Sequence, residues 1–211
     1  MGAGRRRLLV IEGVSWALGL IAVGAYAAFQ FGLDASTRHD LGRFATLQAI
    51  ALEAGTPDQS LWSAARLRAW RRALDEAAPA PVAVLRIPKI RLEAPILSGT
   101  DDWTLDRSVG HIEGTARPGT DGNSGLAAHR DSFFRRLSDI APGDSIELQT
   151  LHGMDIYRVE RTWIVDPQDV SVLEPTSTRT ITLVTCYPFY FVGPAPRRFI
   201  VRAVLVGDPA A

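Results

Sequence analysis

The chain has 211 residues, 46% of them apolar and 22% charged, and its 23 basic and 23 acidic residues cancel. That length suits one domain with an attachment, and a zero balance supplies no global field to hold a polyanion, which argues against a nucleic-acid binder. The basic set is 22 Arg and the single Lys89, and one cysteine, Cys186, leaves no intramolecular disulfide or multi-cysteine metal site to be built.

Arg5, Arg6 and Arg7 lead into the run LLVIEGVSWALGLIAVGAYAAF, Leu8 to Phe29, whose 22 residues carry one charge, Glu12. As a helix this run is roughly 33 Å long and can cross a bilayer. The apolar character continues to Phe31, so an anchor is expected over residues 8–31, with residues 1–7 in the cytoplasm and the remainder outside. Ala25-Tyr26-Ala27 also fits a cleavage pattern, which keeps a removed signal peptide as the competing reading. The length of the apolar run favours the anchor, and both readings export the rest. A lone thiol in an oxidising compartment is a liability unless it is used.

Residues 32–81 are rich in Ala, Leu and Arg, with a break at Gly55-Thr56-Pro57, and read as a helical stalk or linker. In its second half Leu67, Trp70 and Leu74 form a stripe among Arg66, Arg68, Arg71 and Arg72. A solvated linker helix with one packed face is the plainest reading, beside a helix lying on lipid or docked on the domain. Pro79-Ala80-Pro81 ends the helical composition.

Residues 82–208 then change pattern to short runs separated by Gly, Pro and Asp: VAVLRI, APIL, SGLAA, SIELQT, DIYRVERTWIV, TITLVTC and RFIVRAVLV. The fold class is mainly β, a barrel or a sandwich, with helical turns at Ser132 to Leu137 and Val170 to Glu174. Cys186 ends ITLVTC, and the loop YPFYFVGPAP leads into the next strand, so Cys186 and Arg198 come side by side. By spacing alone Arg198, like Arg197, reads more readily as a rim residue than as a fixed cation beside the sulfur. His129 ends SGLAAHRD, where a strand presents a base or acid at a barrel rim. His39 falls in the stalk and His152 in a turn, and His111 reads as structural. A thiol, an imidazole and a guanidinium suffice for acyl transfer. Asp101, Asp102 and Asp121 read as turn residues, and no metal or cofactor site is called for.

These residues resemble those of the sortases, membrane-anchored cysteine transpeptidases of bacterial surfaces. The cysteine motif Thr-Leu-x-Thr-Cys is matched by Thr182-Leu183-Val184-Thr185-Cys186, and the histidine run by Ala127-Ala128-His129-Arg130. The arginine opening the last strand is matched by Arg198-Phe199-Ile200-Val201, which favours Arg198 over Arg197. LRIPKIRLEAPI, GHIEGTARPGTDGN, PGDSIEL and YRVERTWIVDPQDVSVLEP extend the likeness over Val82 to Gly207, and Tyr187-Pro188 with Ala195-Pro196-Arg197-Arg198-Phe199 looks most like class D. The resemblance implies a closed eight-stranded barrel with Cys186, His129 and Arg198 as catalytic residues and no cofactor. Its substrates would be surface proteins bearing a C-terminal Leu-Pro-x-Thr-(Gly/Ala) signal, and its acceptor an amine on cell wall or another protein. The thioester would form on Cys186, His129 would protonate the departing amine, and Arg198 would hold the oxyanion. An L,D-transpeptidase is a poorer match, since Val184-Thr185 replace that family's Ser-x-Gly before the thiol. A membrane-tethered, non-catalytic binding or scaffold domain is the alternative from another class.

Overall fold

The computed structural model describes residues 16, 19–24, 45, 49, 56–190 and 193–207. The chain divides into two compact units, residues 1–44 and 45–211. In the first, residues 16 and 19–24 are helical, with Trp16, Leu20, Ile21 and Val23 exposed. The rest of the expected anchor, and the first half of the stalk apart from residues 45 and 49, lie outside the described residues. No described helix is long and apolar enough to cross a membrane.

The second unit is a closed barrel of eight strands. They are β1 (Ala83–Ile87), β2 (Leu92–Ser98), β3 (Val109–His111), β4 (Asn123–Ala127), β5 (Ser145–Thr150), β6 (Gly153–Val165), β7 (Thr180–Tyr187) and β8 (Arg197–Gly207). The order around the barrel is β1-β2-β3-β4-β7-β8-β6-β5. Closure leaves no free sheet edge, and it decides between the barrel and the sandwich. Seven strands follow the seven runs read from the sequence. β3 does not, because three residues are too few to show a period of two.

Side-chain alternation fills the barrel. In β5 the residues Ile146, Leu148 and Thr150 are buried while Ser145, Glu147 and Gln149 are only partly so. β7 departs from alternation: Thr182 and Leu183 are both fully buried. Its outer face is covered by the β6–β7 connection, a short 3-10 turn at Val170–Leu173. Asn123 holds that turn by donating from Nδ2 to the carbonyls of Val172 (3.0 Å) and Glu174 (3.1 Å), and it accepts from Thr182 Oγ1 at 2.7 Å. Leu173 lies so close to β4 that a Cβ on Gly125 would stand 2.9 Å from its Cδ2.

Most neighbours are antiparallel, but β2 with β3 and β4 with β7 run parallel. Parallel strands need a crossover. Between β2 and β3 it contains helix α2 (Asp102–Arg107), counted here after α1 (Ala64–Leu74), where the sequence reads only a turn. Asp101 caps α2, accepting from Thr104 N at 3.1 Å and Thr104 Oγ1 at 2.7 Å. The crossover is tight enough that a Cβ on Gly110 would lie 2.3 Å from the Gly99 carbonyl.

α1 is docked on the barrel and is no free linker. Trp62, 8% exposed, belongs to the core, and Leu67 and Trp70 pack against it. Trp62 meets Trp70 edge-on at 6.1 Å and Phe133 at 5.1 Å. The buried stripe is Leu67, Trp70 and Ala73, at i, i+3 and i+6, while Leu74 is 44% exposed. The last turn is capped from α2: Arg107 Nη1 donates to the Ala73 carbonyl and to the Glu76 carbonyl at 2.9 Å.

Candidate active site

Three adjacent strands bring the sequence-predicted residues to one end of the barrel. β4 and β7 pair in parallel up to Ala127 opposite Val184. His129 and Cys186 each follow two residues later, so the register that aligns the strands also aligns these two side chains. Ala128 N donates to the Val184 carbonyl at 3.4 Å, and Thr185 Oγ1 donates to the Ala128 carbonyl at 2.8 Å, fixing the residue before each of them. β7 and β8 pair antiparallel with Cys186 directly opposite Arg198. Directly opposed residues share a face of the sheet.

The thiol of Cys186 is partly exposed and free. It lines a cleft of about 240 Å³ together with Arg66, His129, Arg130, Asp131, Gly193, Pro194 and Ala195. His129 lies 3.6 Å from Asp106 through Nε2. Arg66 pairs with Asp106 through Nη1 and with Asp131 at 3.2 Å through Nη2. Burial holds the proton affinity of His129 below the ordinary histidine value, and the Arg66 charge lowers it further against the opposing pull of Asp131, Asp106 and Asp102. The imidazole is therefore neutral at pH 7 and can accept a thiol proton.

Arg198 and Arg197 separate cleanly. Arg198 is not among the residues that line the cleft; its Nη1 donates to the carbonyls of Arg197 (3.1 Å) and of Ala195 (3.4 Å), which does line it, and it has no carboxylate partner among the described residues. Arg197 is 59% exposed and faces Asp166 at 3.9 Å on the surface. His111 is buried on β3, its Nε2 shared between the Ala116 carbonyl at 2.9 Å and Thr115 Oγ1 at 3.1 Å, a structural role. His152 sits in an exposed turn, and His39 lies outside the described residues.

The loop between β7 and β8 forms the other wall, and Arg130 holds it. Its Nη1 donates to the Pro188 carbonyl at 2.9 Å and its Nη2 to the Gly193 carbonyl at 3.0 Å. Arg135 adds a bond to the Phe189 carbonyl and stacks on Tyr190 at 4.0 Å. Tyr187, Phe189 and Phe199 close the base of the loop as an aromatic cluster. Sequence reasoning missed Arg66, Asp106, Arg130 and Asp131. The last two adjoin His129 and were there to be suspected; Arg66 reaches the cleft and Asp106 reaches His129 only through the docking of α1 and α2. Among the described residues no group of three His, Cys, Asp or Glu is placed to hold a metal ion.

The sortase domain family model matches residues 85–206. Sortase D of Bacillus subtilis (strain 168) is 40% identical over 119 residues, covering 56% of this chain and 60% of that protein. Sortase SrtE1 of Streptomyces coelicolor is 37% identical, covering 50% of this chain and 36% of that protein. The chain thus spans three-fifths or less of the length of these two relatives. Among solved structures, the Clostridium perfringens Sortase D5 transpeptidase aligns with a TM-score of 0.56 at 30% identity, covering 67% of this chain and 89% of that one. Sortase E1 from Streptomyces coelicolor, solved with a tripeptide in its active site, aligns with a TM-score of 0.54 at 32% identity, covering 61% of this chain and 89% of that one. With the family model matched from within β1 to within β8, the chain belongs to the sortase family and is class D-like.

Proposed function

We propose that this protein is a cysteine transpeptidase of the bacterial cell surface, which cleaves a Leu-Pro-x-Thr-(Gly/Ala) sorting signal after Thr and passes the protein to an amine acceptor. The observation that carries the reading is the placement of Cys186, His129 and Arg198 on the adjoining ends of β4, β7 and β8, with the thiol and imidazole lining one cleft. His129, neutral at pH 7, takes the thiol proton as Sγ adds to the threonine carbonyl carbon. Among the described residues Arg198 bonds only through Nη1, to the carbonyls of Ala195 and Arg197, so Nε and Nη2 remain to stabilise the oxyanion. As the tetrahedral adduct collapses, the C–N bond breaks and His129 gives its proton to the leaving amine. An acceptor amine then attacks the thioester, His129 takes its proton, and Cys186 is released.

Membrane attachment through residues 8–31, with residues 1–7 inside and the catalytic unit outside, belongs to the same proposal and rests on the sequence. So does the stalk, whose docked half, α1, supplies a wall of the cleft. The test is incubation of the protein with Leu-Pro-x-Thr-Gly and Leu-Pro-x-Thr-Ala peptides and an amine, followed by mass spectrometry beside Cys186→Ala. Cleavage after Thr with transfer to the amine, absent in Cys186→Ala, is the expected result. A folded wild-type protein that forms neither product nor an acyl adduct on Cys186 with any such peptide refutes the assignment and leaves a binding or scaffold domain.

A further inference from the structure

The reaction above gives no task to Arg66, a charged group of the cleft. Arg66 stands on α1 beside Leu67, whose packing on the core, with that of Trp62 and Trp70, fixes the helix against the barrel. Its guanidinium is divided between two acids, Nη1 on Asp106 of α2 and Nη2 on Asp131 in the turn after β4. The side chains of Arg66 and Asp106 are 19% and 25% exposed, so this pair is sheltered more than a surface bridge. Asp106 in turn faces His129 Nε2. The chain Asp131, Arg66, Asp106, His129 therefore links three segments that meet only in the folded state.

The charged and titratable groups around His129 come from every neighbouring element: Arg66 from α1, Asp102 and Asp106 from α2, Arg130 and Asp131 from its own turn, Cys186 from β7 and Arg198 from β8. Two nearby carboxylates alone would hold a proton on the imidazole and make it a poor acid toward a leaving amine. A cation bridging both removes much of that field at His129 while holding the Asp106 carboxylate 3.6 Å from Nε2.

We infer that Arg66 is a positioning residue for acyl transfer: by tying Asp106 to Asp131 it fixes the carboxylate that faces His129 Nε2 and offsets the negative charge of these two acids at the imidazole. The catalytic part of this inference rests on the transpeptidase reading, but the electrostatic link does not.

The experiment uses the full chain in detergent with ring-labelled histidine, the His129 signal being assigned by its loss in His129→Gln. In Arg66→Gln the His129 titration midpoint moves up, and in Arg66→Lys, which keeps the charge, it returns toward wild type. Peptide transfer by Arg66→Gln falls on the order of ten- to a hundred-fold in kcat with KM little changed, and the acidic limb of its pH profile moves up with the midpoint. An unmoved midpoint in folded Arg66→Gln, or turnover faster than wild type, overturns the inference, the latter making α1 an obstruction. Should Arg66→Gln not fold, Asp106→Asn reads the same link from the other end: the midpoint moves down and kcat falls, and no movement again overturns it. A wild-type protein inert toward peptides refutes the transpeptidase reading instead, while the titration still decides whether Arg66 acts on His129.

Discussion

Arg130→Met should loosen one wall of the cleft without unfolding the barrel. Among the described residues Arg130 makes two bonds to the β7–β8 loop, a partly buried one to the Pro188 carbonyl and an exposed one to the Gly193 carbonyl. A hydrogen bond from a charged donor contributes ~1.5–3 kcal/mol, and the exposed one is screened to ~0–1 kcal/mol, so about 2 kcal/mol is at stake. The front of the loop keeps Arg135 on Phe189 and Tyr190 and the aromatic cluster around Phe199. Among the described residues Gly193 to Ala195 keep only the 3.4 Å bond from Arg198 to the Ala195 carbonyl. The loss therefore falls on the back of the loop as local opening, and 2 kcal/mol corresponds to a roughly 30-fold larger open population there. Were these Arg130 bonds to break only on global unfolding, Tm would instead drop by about 4–8 °C. Limited proteolysis, with peptide kinetics alongside, separates the two. Cleavage within the β7–β8 loop should rise with KM while Tm holds. Unchanged cleavage and unchanged KM in Arg130→Met would refute the clamp.

Trp62→Ala should destabilise the protein by ~3 kcal/mol, the lower end for a buried Trp because α1 can undock before the barrel unfolds, and proteolysis should open first at residues 56–78; a loss below ~1 kcal/mol in urea would show that α1 is not part of the core. Asn123→Ala leaves the Glu174 carbonyl and the Thr182 hydroxyl unpaired, while Arg202 Nη2 still serves the Val172 carbonyl at 2.8 Å. It should cost about 2–3 kcal/mol, and adding Thr182→Val should cost less than the sum because the orphaned hydroxyl goes too; strict additivity in denaturant titrations would contradict the network. The lowered proton affinity of His129 means that the unfolded chain takes up this proton before the folded one does. Stability should thus fall as pH drops from about 6.5 through the lower folded value, and His129→Gln should flatten that part of the profile in thermal melts.

Most of the barrel was legible because its strands alternate or end in turn residues. ITLVTC and RFIVRAVLV predict β7 and β8 almost to their ends, and their joining loop already sets Cys186 beside Arg198. β3 and α2 were not legible, since VGH is too short for a period and DWTLDR follows turn-forming Asp101. The stripe on α1 was read one residue off: Leu74 looks the better core residue by type, but helical geometry turns Ala73 inward. The three predicted site residues were found by motif and strand ends. Their electrostatic surroundings were hidden, because Arg66 precedes His129 by 63 residues and joins Asp106 only through tertiary packing.

The two kinds of strand pairing divide the assembly of the site. Cys186 and Arg198 face each other across an antiparallel connection only twelve residues long, a local contact. His129 joins them through the parallel β4–β7 ladder, which closes over 57 residues. Loop-closure entropy makes the first contact the cheaper to form. A one-residue slip of β4 against β7 would turn the face that carries His129 away from the thiol. The bond from Thr185 to the Ala128 carbonyl at one end of the ladder, and at the other the bond from Thr182 to Asn123 with that from Asn123 to the β6–β7 turn, guard against that slip. Thr182 and Thr185 thus act as register pins for the strand that carries the nucleophile, which gives the two threonines of the cysteine motif a physical role apart from the chemistry at sulfur.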